Sequence, residues 1–260
     1  MINYIKSEFY RNIHSKGNYI FLFGSMAFVI FLNVALGMFA NGQVNFPYGN
    51  TRFSFSSFCA SMSFIMIICL PLVSIVYGQE FKHHTLKNSI SYGISRSQIY
   101  FTKFLMECII SIINLILIST AYIISAYIML ENSGVIYLND LIRSIVACVP
   151  LFLVSVIVIH CLYFILENET TVVVVYWAII MMVIPKLLSM AGRKIEVLGK
   201  IASYMPFNIM GAYSYDESTK RMIMNWSTQE EFIKCFVVGI IGVLVFYTLG
   251  LLLFKKREIK

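Results

Sequence analysis

From Tyr19 to Ala40 the chain carries no charged residue. About twenty such residues in an α-helix, rising 1.5 Å each, cross the roughly 30 Å of hydrocarbon in a bilayer. No water reaches the backbone in that layer, so an apolar run of this length has to satisfy its own amides and carbonyls as a helix. The pattern recurs: apolar stretches run from about Ser57 to Gly78, Phe104 to Leu130, Ile142 or Arg143 to Leu166, Thr170 to Met190, and Phe232 to Phe254. An all-α integral membrane fold with six spans is expected. With 59% hydrophobic and 13% charged residues, a chain of 260 has little left for a soluble domain of ordinary size. A single transmembrane domain over residues 1–260 is the expected organisation.

Charges orient the spans. Lys6, Arg11 and Lys16 precede the first one, Lys82, Lys87, Arg96 and Lys103 lie between the second and third, and Lys255, Lys256, Arg257 and Lys260 follow the sixth. The short opposite loops hold Arg52 and, at a span edge, Arg143. Cations concentrate on the cytoplasmic side, so both termini and the loop over 79–103 are expected there, with 191–231 as a long extracellular loop. The net charge of +7 is scattered over loops and ends, which fits membrane orientation and not nucleic-acid binding.

Before the first span, residues 1–18 place Ile2, Ile5, Phe9 and Ile13 at spacings of three and four, with charges between them. This is the pattern of an amphipathic helix lying at the inner membrane surface, and it is too polar for a signal peptide. Lys103 and Glu107 are four apart at the start of the third span, where they are expected to pair at the interface. His160, alone on the fourth span, reads as a hydrogen bonder between helices and not as a ligand. In the loop over 191–231, Ile195, Leu198, Ile201 and Met205 recur at helical spacing up to Pro206, and Ser227 with Glu230 or Thr228 with Glu231 opens the last span as a capping box.

The polar island from Gln79 to Lys103 has more internal pattern than a connector needs. Thr85 is placed to cap a short helix carrying Leu86 and Ile90 on one face, Tyr92-Gly93 to break it, and Ser95 with Gln98 to start the next helix at Arg96. The product is a helix–break–helix elbow: an apolar knob ringed by cations. Glu80, then Thr85-Leu86-Lys87, then Ser95-Arg96 and a Lys at the next helix start resemble the first cytoplasmic loop of type-2 ATP-binding-cassette (ABC) transporter permeases. The family often has Gly before the Thr and Pro before the Ser-Arg pair, where this chain has His84 and Ile94. The resemblance implies that the elbow is a coupling helix seated in a groove of an ATPase subunit. Leu86 and Ile90 would then supply apolar docking, Lys87 and Arg96 charge complementarity, and Glu80 the end of the second span, with Thr85 part of the matching pattern. It further implies two cytoplasmic ATP-binding subunits, a second permease identical or homologous to this one, and a place in a bacterial plasma membrane among its lipids. The six-span form with a long last outer loop resembles permeases that export antimicrobial peptides such as lantibiotics and bacitracin, or confer immunity to them.

No Gly-x-x-x-x-Gly-Lys-Ser/Thr phosphate cradle occurs, so ATP and Mg belong to partner subunits and this chain is expected to have no ATPase site, catalytic residue or cofactor of its own. Glu80-x-x-His83 has the spacing of a di-iron helix but lacks the further carboxylates such a site needs. Cys59, Cys69, Cys108, Cys148, Cys161 and Cys235 fall in or at the margins of apolar segments, without metal or disulfide spacing. Two other readings stay open: a drug or lipid exporter in the same class, and a membrane scaffold or sensor that recruits a cytoplasmic protein through the same loop. An intramembrane enzyme would need a reactive residue or metal set that the sequence does not contain. The substrate-contacting residues are not legible.

Overall fold

The structure, a computed structural model, describes residues 2–43, 46–83, 86–166, 168–178, 183–217 and 221–257, and only the backbone of 78–83, 86 and 87. It is helical almost throughout. Helix α1 (Ile2–Ile13) precedes α2 (Lys16–Gly42), and α3 (Thr51–Ala60) joins α4 (Ile65–His83) through a 3-10 turn at Met62–Phe64. Next come the short α5 (Leu86–Ser91), α6 (Arg96–Met129), α7 (Val135–Ile165), α8 (Glu169–Tyr176) and α9 (Val183–Gly192). After α10 (Glu196–Ser203) and α11 (Pro206–Gly211), strands β1 (Tyr213–Asp216) and β2 (Arg221–Met224) pair antiparallel, and α12 (Gln229–Lys256) ends the described chain.

Among the described residues four helices, α2, α6, α7 and α12, are long and apolar enough to cross a membrane, and α3 with Met62–Tyr77 makes a fifth if the pair is one span. That pair is bent by 53°. The second expected span is therefore not one straight helix from Ser57: the chain enters earlier, at Thr51, and breaks at Ser61. Asn50 caps α3 by accepting from the Phe53 amide at 2.9 Å, which starts the helix ahead of the apolar run. The expected fifth span is described as two shorter helices, α8 and α9, with 179–182 outside the described residues.

α6 and α7 also begin earlier than hydropathy indicates. α6 has 34 residues, about 51 Å of helix, so it extends well beyond the hydrocarbon. The long loop holds more structure than the one amphipathic helix expected of it. α10 does end before Pro206, but Pro206 then opens α11, and a hairpin follows with Tyr213 opposite Met224 and Asp216 opposite Arg221.

α7 is the axis of the bundle and its most buried long helix. α12 lies along it by way of glycines: a Cβ on Gly239 would collide with Pro150, and one on Gly242 would lie 2.7 Å from Val154. Apolar side chains gain little by leaving lipid for another helix, so close backbone approach at small residues is what holds membrane helices together. α2 packs on α6 in the same way, with Gly37 against the Met129 carbonyl at 2.7 Å from its ideal Cβ. A polar knot fixes the end of the bundle where α2, α3 and α6 meet. Asn33 donates to the Tyr122 carbonyl at 3.0 Å and to Ser125 Oγ at 2.8 Å, and Ser54 donates to Asn33 Oδ1 at 2.8 Å. Buried polar side chains in a bundle need such partners.

Candidate coupling site

The elbow is built by two consecutive caps. At the end of α5, Gly93 lies in the left-handed region with φ 83°, its amide donating to the Ile90 carbonyl at 2.9 Å, while the Ile94 amide donates to Ser89 at 3.3 Å. These two bonds form a Schellman motif, which needs a residue without a Cβ penalty at the reversal. The side chains of Ile90 and Ile94 both pack against the bundle core. Directly afterwards Ser95 accepts from the Gln98 amide and the Gln98 side chain accepts from the Ser95 amide, both at 3.3 Å. The expected capping box is thus present, and α6 starts at Arg96. Tyr92, at the tip, is 86% exposed.

Of the expected coupling residues, the backbones of Leu86, Lys87 and Ile90 lie on α5, and that of Glu80 lies near the end of α4. Thr85 and its cap lie outside the described residues, as do the side chains of Glu80, Leu86 and Lys87. Ile90 faces the helix bundle itself, which makes it an anchor of the elbow. Arg96 is also turned inward. Its guanidinium donates to the carbonyls of Phe254 at 3.0 Å, Lys255 at 2.9 Å and Arg257 at 2.5 Å, and stands 5.8 Å from the Phe254 ring centre. A cation there satisfies carbonyls that the last turn of α12 leaves without helical donors, and complements the negative end of its dipole. Arg257 in turn donates to the Phe164 carbonyl at 2.8 Å, at the end of α7. Elbow, last helix and central helix are therefore tied in series.

Beneath the elbow the structure gathers charges that the sequence keeps far apart. α1 does run as an amphipathic helix, with Ile2, Phe9 and Ile13 exposed, while Glu8 and Asn12 are turned in and buried. Arg11 donates to Glu8 at 2.6 Å, and Lys103 donates to the same Glu8 oxygen at 3.2 Å. The expected interfacial pair of Lys103 with Glu107 is corrected on two counts: both residues are buried, and each has a partner from another helix. Glu107 Oε2 lies 2.8 Å from His160 Nδ1, joining α6 to α7. Around that imidazole stand Tyr100, Phe104 and Phe164, with ring centres at 4.4, 5.6 and 4.9 Å, and Tyr77 at 5.9 Å. Tyr163 donates to Glu169 at 3.1 Å and shares a hydrogen bond with Ser74, which brings α8 and α4 into the same cluster.

Polar and ionic pairs sequestered in this way lose hydration, and they hold helices together only while both partners stay in place. A local i, i+4 match between Lys103 and Glu107 hid both long-range pairings from sequence reading. The signal that points to Glu8 is its place on α1, between the apolar positions Ile5 and Phe9. Among the described residues no group of three His, Cys, Asp or Glu is arranged to hold a metal ion. The arrangement suits transmission of force: an elbow whose break is capped on either side, after α5 and before α6, is latched to α12 and set over polar cross-links among α1, α6 and α7.

A comparison with curated proteins finds no sequence match. The model of the ABC-2 family transporter protein does match, over residues 4–184, a stretch that contains most of α1, the elbow, Glu107 and His160. The chain belongs to the ABC-2 family of transporter membrane proteins, as a membrane permease of an ABC transporter.

Proposed function

We propose that this permease is the membrane subunit of an exporter whose elbow receives the stroke of separate ATP-binding subunits, two per complex, and that it works beside a second permease, identical or homologous. In this reading Leu86 and Lys87 on α5 meet the ATPase groove, with Thr85 beside them and Glu80 at the end of the second span. Ile90 and Arg96 carry the displacement inward. The observation that carries the reading is the latch of Arg96 onto the last carbonyls of α12. A push on the elbow reaches the end of α12 through one side chain. The cations at both termini and in the elbow support a cytoplasmic position for all three, in a bacterial plasma membrane.

The substrate we propose is amphipathic, an antimicrobial peptide of the lantibiotic or bacitracin kind, taken from the membrane or cell and moved outward. Apolar and aromatic outer faces on α2 and α12 favour a compound that enters from the bilayer. α2 exposes Phe23, Phe28, Phe31 and Phe39, and α12 exposes Ile240, Leu244 and Leu252. Drug or lipid export is the second reading, favoured by the same apolar faces.

Affinity purification of the tagged chain in mild detergent tests the proposal. A P-loop ATPase that co-purifies in stoichiometric amount, and whose activity rises with a candidate peptide, is the expected result. A chain that purifies alone, with no ATPase bound, overturns the exporter reading and favours a scaffold or sensor.

A further inference from the structure

At the end of the bundle remote from the elbow, a recess opens between the first turns of α7 and the start of α12, lined by Asn139, Ile142, Arg143, Val146, Gln229 and Phe232. Asn139, Ile142, Arg143 and Val146 follow one another at i, i+3, i+4 and i+7, so they form one stripe along α7. Arg143 is held in place by two contacts. Its Nε donates to the Trp226 carbonyl at 3.1 Å, and its guanidinium stands 5.0 Å from the Phe232 ring centre. Trp226 is itself fixed: it is buried and donates from Nε1 to Ser144 Oγ at 2.9 Å.

Two neighbouring acids, Asp140 and Glu231, are engaged by other cations, while Glu230 in the first turn of α12 forms no ion pair with Arg143. Asp140 is taken by Nη2 and Nε of Arg221, with bonds of 2.7 and 2.5 Å from Nη2 and 3.2 Å from Nε, and Glu231 pairs with Lys234 at 3.1 Å. Among the described residues no carboxylate pairs with Arg143, and its terminal amines have no acceptor. Arg143 lies about 12 Å along α7 from the helix start, beside Ile142 and Val146, which are 46% and 43% exposed. A guanidinium at the span edge, held by Trp226 and Phe232 and bordered by apolar surface that continues along α7, matches the junction between an anionic head and an apolar chain.

We infer that this recess binds the anionic headgroup of an amphiphile: a phosphate or carboxylate on the Arg143 fork, donors from Asn139 and Gln229 at the rim, and the chain along Ile142 and Val146. This deepens the amphipathic-substrate reading above, but it rests on the bundle spanning a membrane and needs no ATPase.

Native mass spectrometry of the full chain in mild detergent tests it, with phosphatidylglycerol, phosphatidylcholine and myristate as probes. Phosphatidylglycerol and myristate are expected to bind one site competitively, about tenfold tighter than phosphatidylcholine, the order expected for a charge-assisted bidentate contact. Arg143→Gln removes that preference, Arg143→Lys keeps part of it, and Lys194→Gln, an exposed cation elsewhere, leaves it unchanged. One phosphatidylglycerol per chain surviving purification and resisting myristate supports a resident lipid. A lipid-free chain that takes up myristate supports a transported amphiphile. Equal binding of the two phospholipids, or full anionic preference in Arg143→Gln, overturns the site. Neither failure bears on the permease reading, since the assay contains no ATPase.

Discussion

Arg96 donates to the carbonyl of Arg257 at 2.5 Å across 161 positions of sequence, joining the first residue of α6 to the chain just past the last turn of α12. With the bonds to Phe254 and Lys255, one guanidinium closes the end of a 28-residue helix. Arg96→Gln keeps an N–H donor but loses the charge and the reach of Nη1. We expect it to lower stability by about 1–2 kcal/mol, the scale of a charge-assisted cap. Hydrogen exchange should quicken at residues 253–257 and stay unchanged at the capping box of Ser95. Unchanged protection at 253–257 would show that the latch contributes nothing.

Gly93 sits at φ 83°, where a side chain is strained whatever space surrounds it, and its ideal Cβ has open space around it. Gly93→Val therefore isolates the backbone cost, about 1–2 kcal/mol for a left-handed residue with a Cβ. Gly93→Asn should cost less, because Asn tolerates that region. Thermal unfolding of the purified chain checks the order Gly, Asn, Val. A valine variant as stable as the parent contradicts the Schellman geometry at the elbow.

For Glu107 and His160, buried and 2.8 Å apart, the prediction is one of non-additivity. Removing either partner leaves the other in the bundle without its match, at a cost of roughly 3–5 kcal/mol. Glu107→Leu with His160→Leu together should destabilise by less than the sum of the singles, and by no more than the worse of them. Midpoints of thermal unfolding for the four proteins of the cycle measure this. Simple additivity would mean that the two side chains do not act as a pair.

Helix α12 depends on glycines as α2 does not at Gly24. Gly239→Leu forces side-chain atoms into Pro150 and is expected to separate α12 from α7, with overpacking of about 1–3 kcal/mol or outright loss of folded protein. Gly24→Ala meets nothing within 4 Å and should be neutral or slightly stabilising, through helix propensity. Fluorescence size-exclusion profiles of the two variants separate the cases, and equal behaviour would place the α7–α12 contact elsewhere.

Much of this architecture is legible in the sequence where the signal is local. The apolar runs locate α2, α6, α7 and α12, and Ser95 with Gln98, three apart, marks the start of α6. For the last span the sequence offers two caps, and the structure uses Thr228, whose Oγ1 accepts from the Glu231 amide at 3.4 Å. The bend at Ser61 has no such signal, because hydropathy stays high through it and Asn50 starts the helix from outside the apolar run. Pairings over long separation were hidden for a different reason. Lys103 finds Glu8 across 95 positions and Glu107 finds His160 across 53, while each has an opposite charge four residues away in sequence that competes in any local reading. Arg96 was legible as a cation of the elbow, but its direction was not, since its acceptors are backbone carbonyls, which carry no sequence signature.

The central claim is that the elbow transmits ATPase work into the bundle. The most direct measurement is ATP hydrolysis and transport by the complete complex in proteoliposomes, comparing the parent with Leu86→Asp and Arg96→Gln. The account predicts that Leu86→Asp abolishes substrate-stimulated ATPase activity and transport while the protein remains folded in the membrane. It predicts that Arg96→Gln retains ATPase binding and hydrolysis but loses transport, because the stroke no longer reaches α12. Normal stimulation and transport by Leu86→Asp would contradict the account.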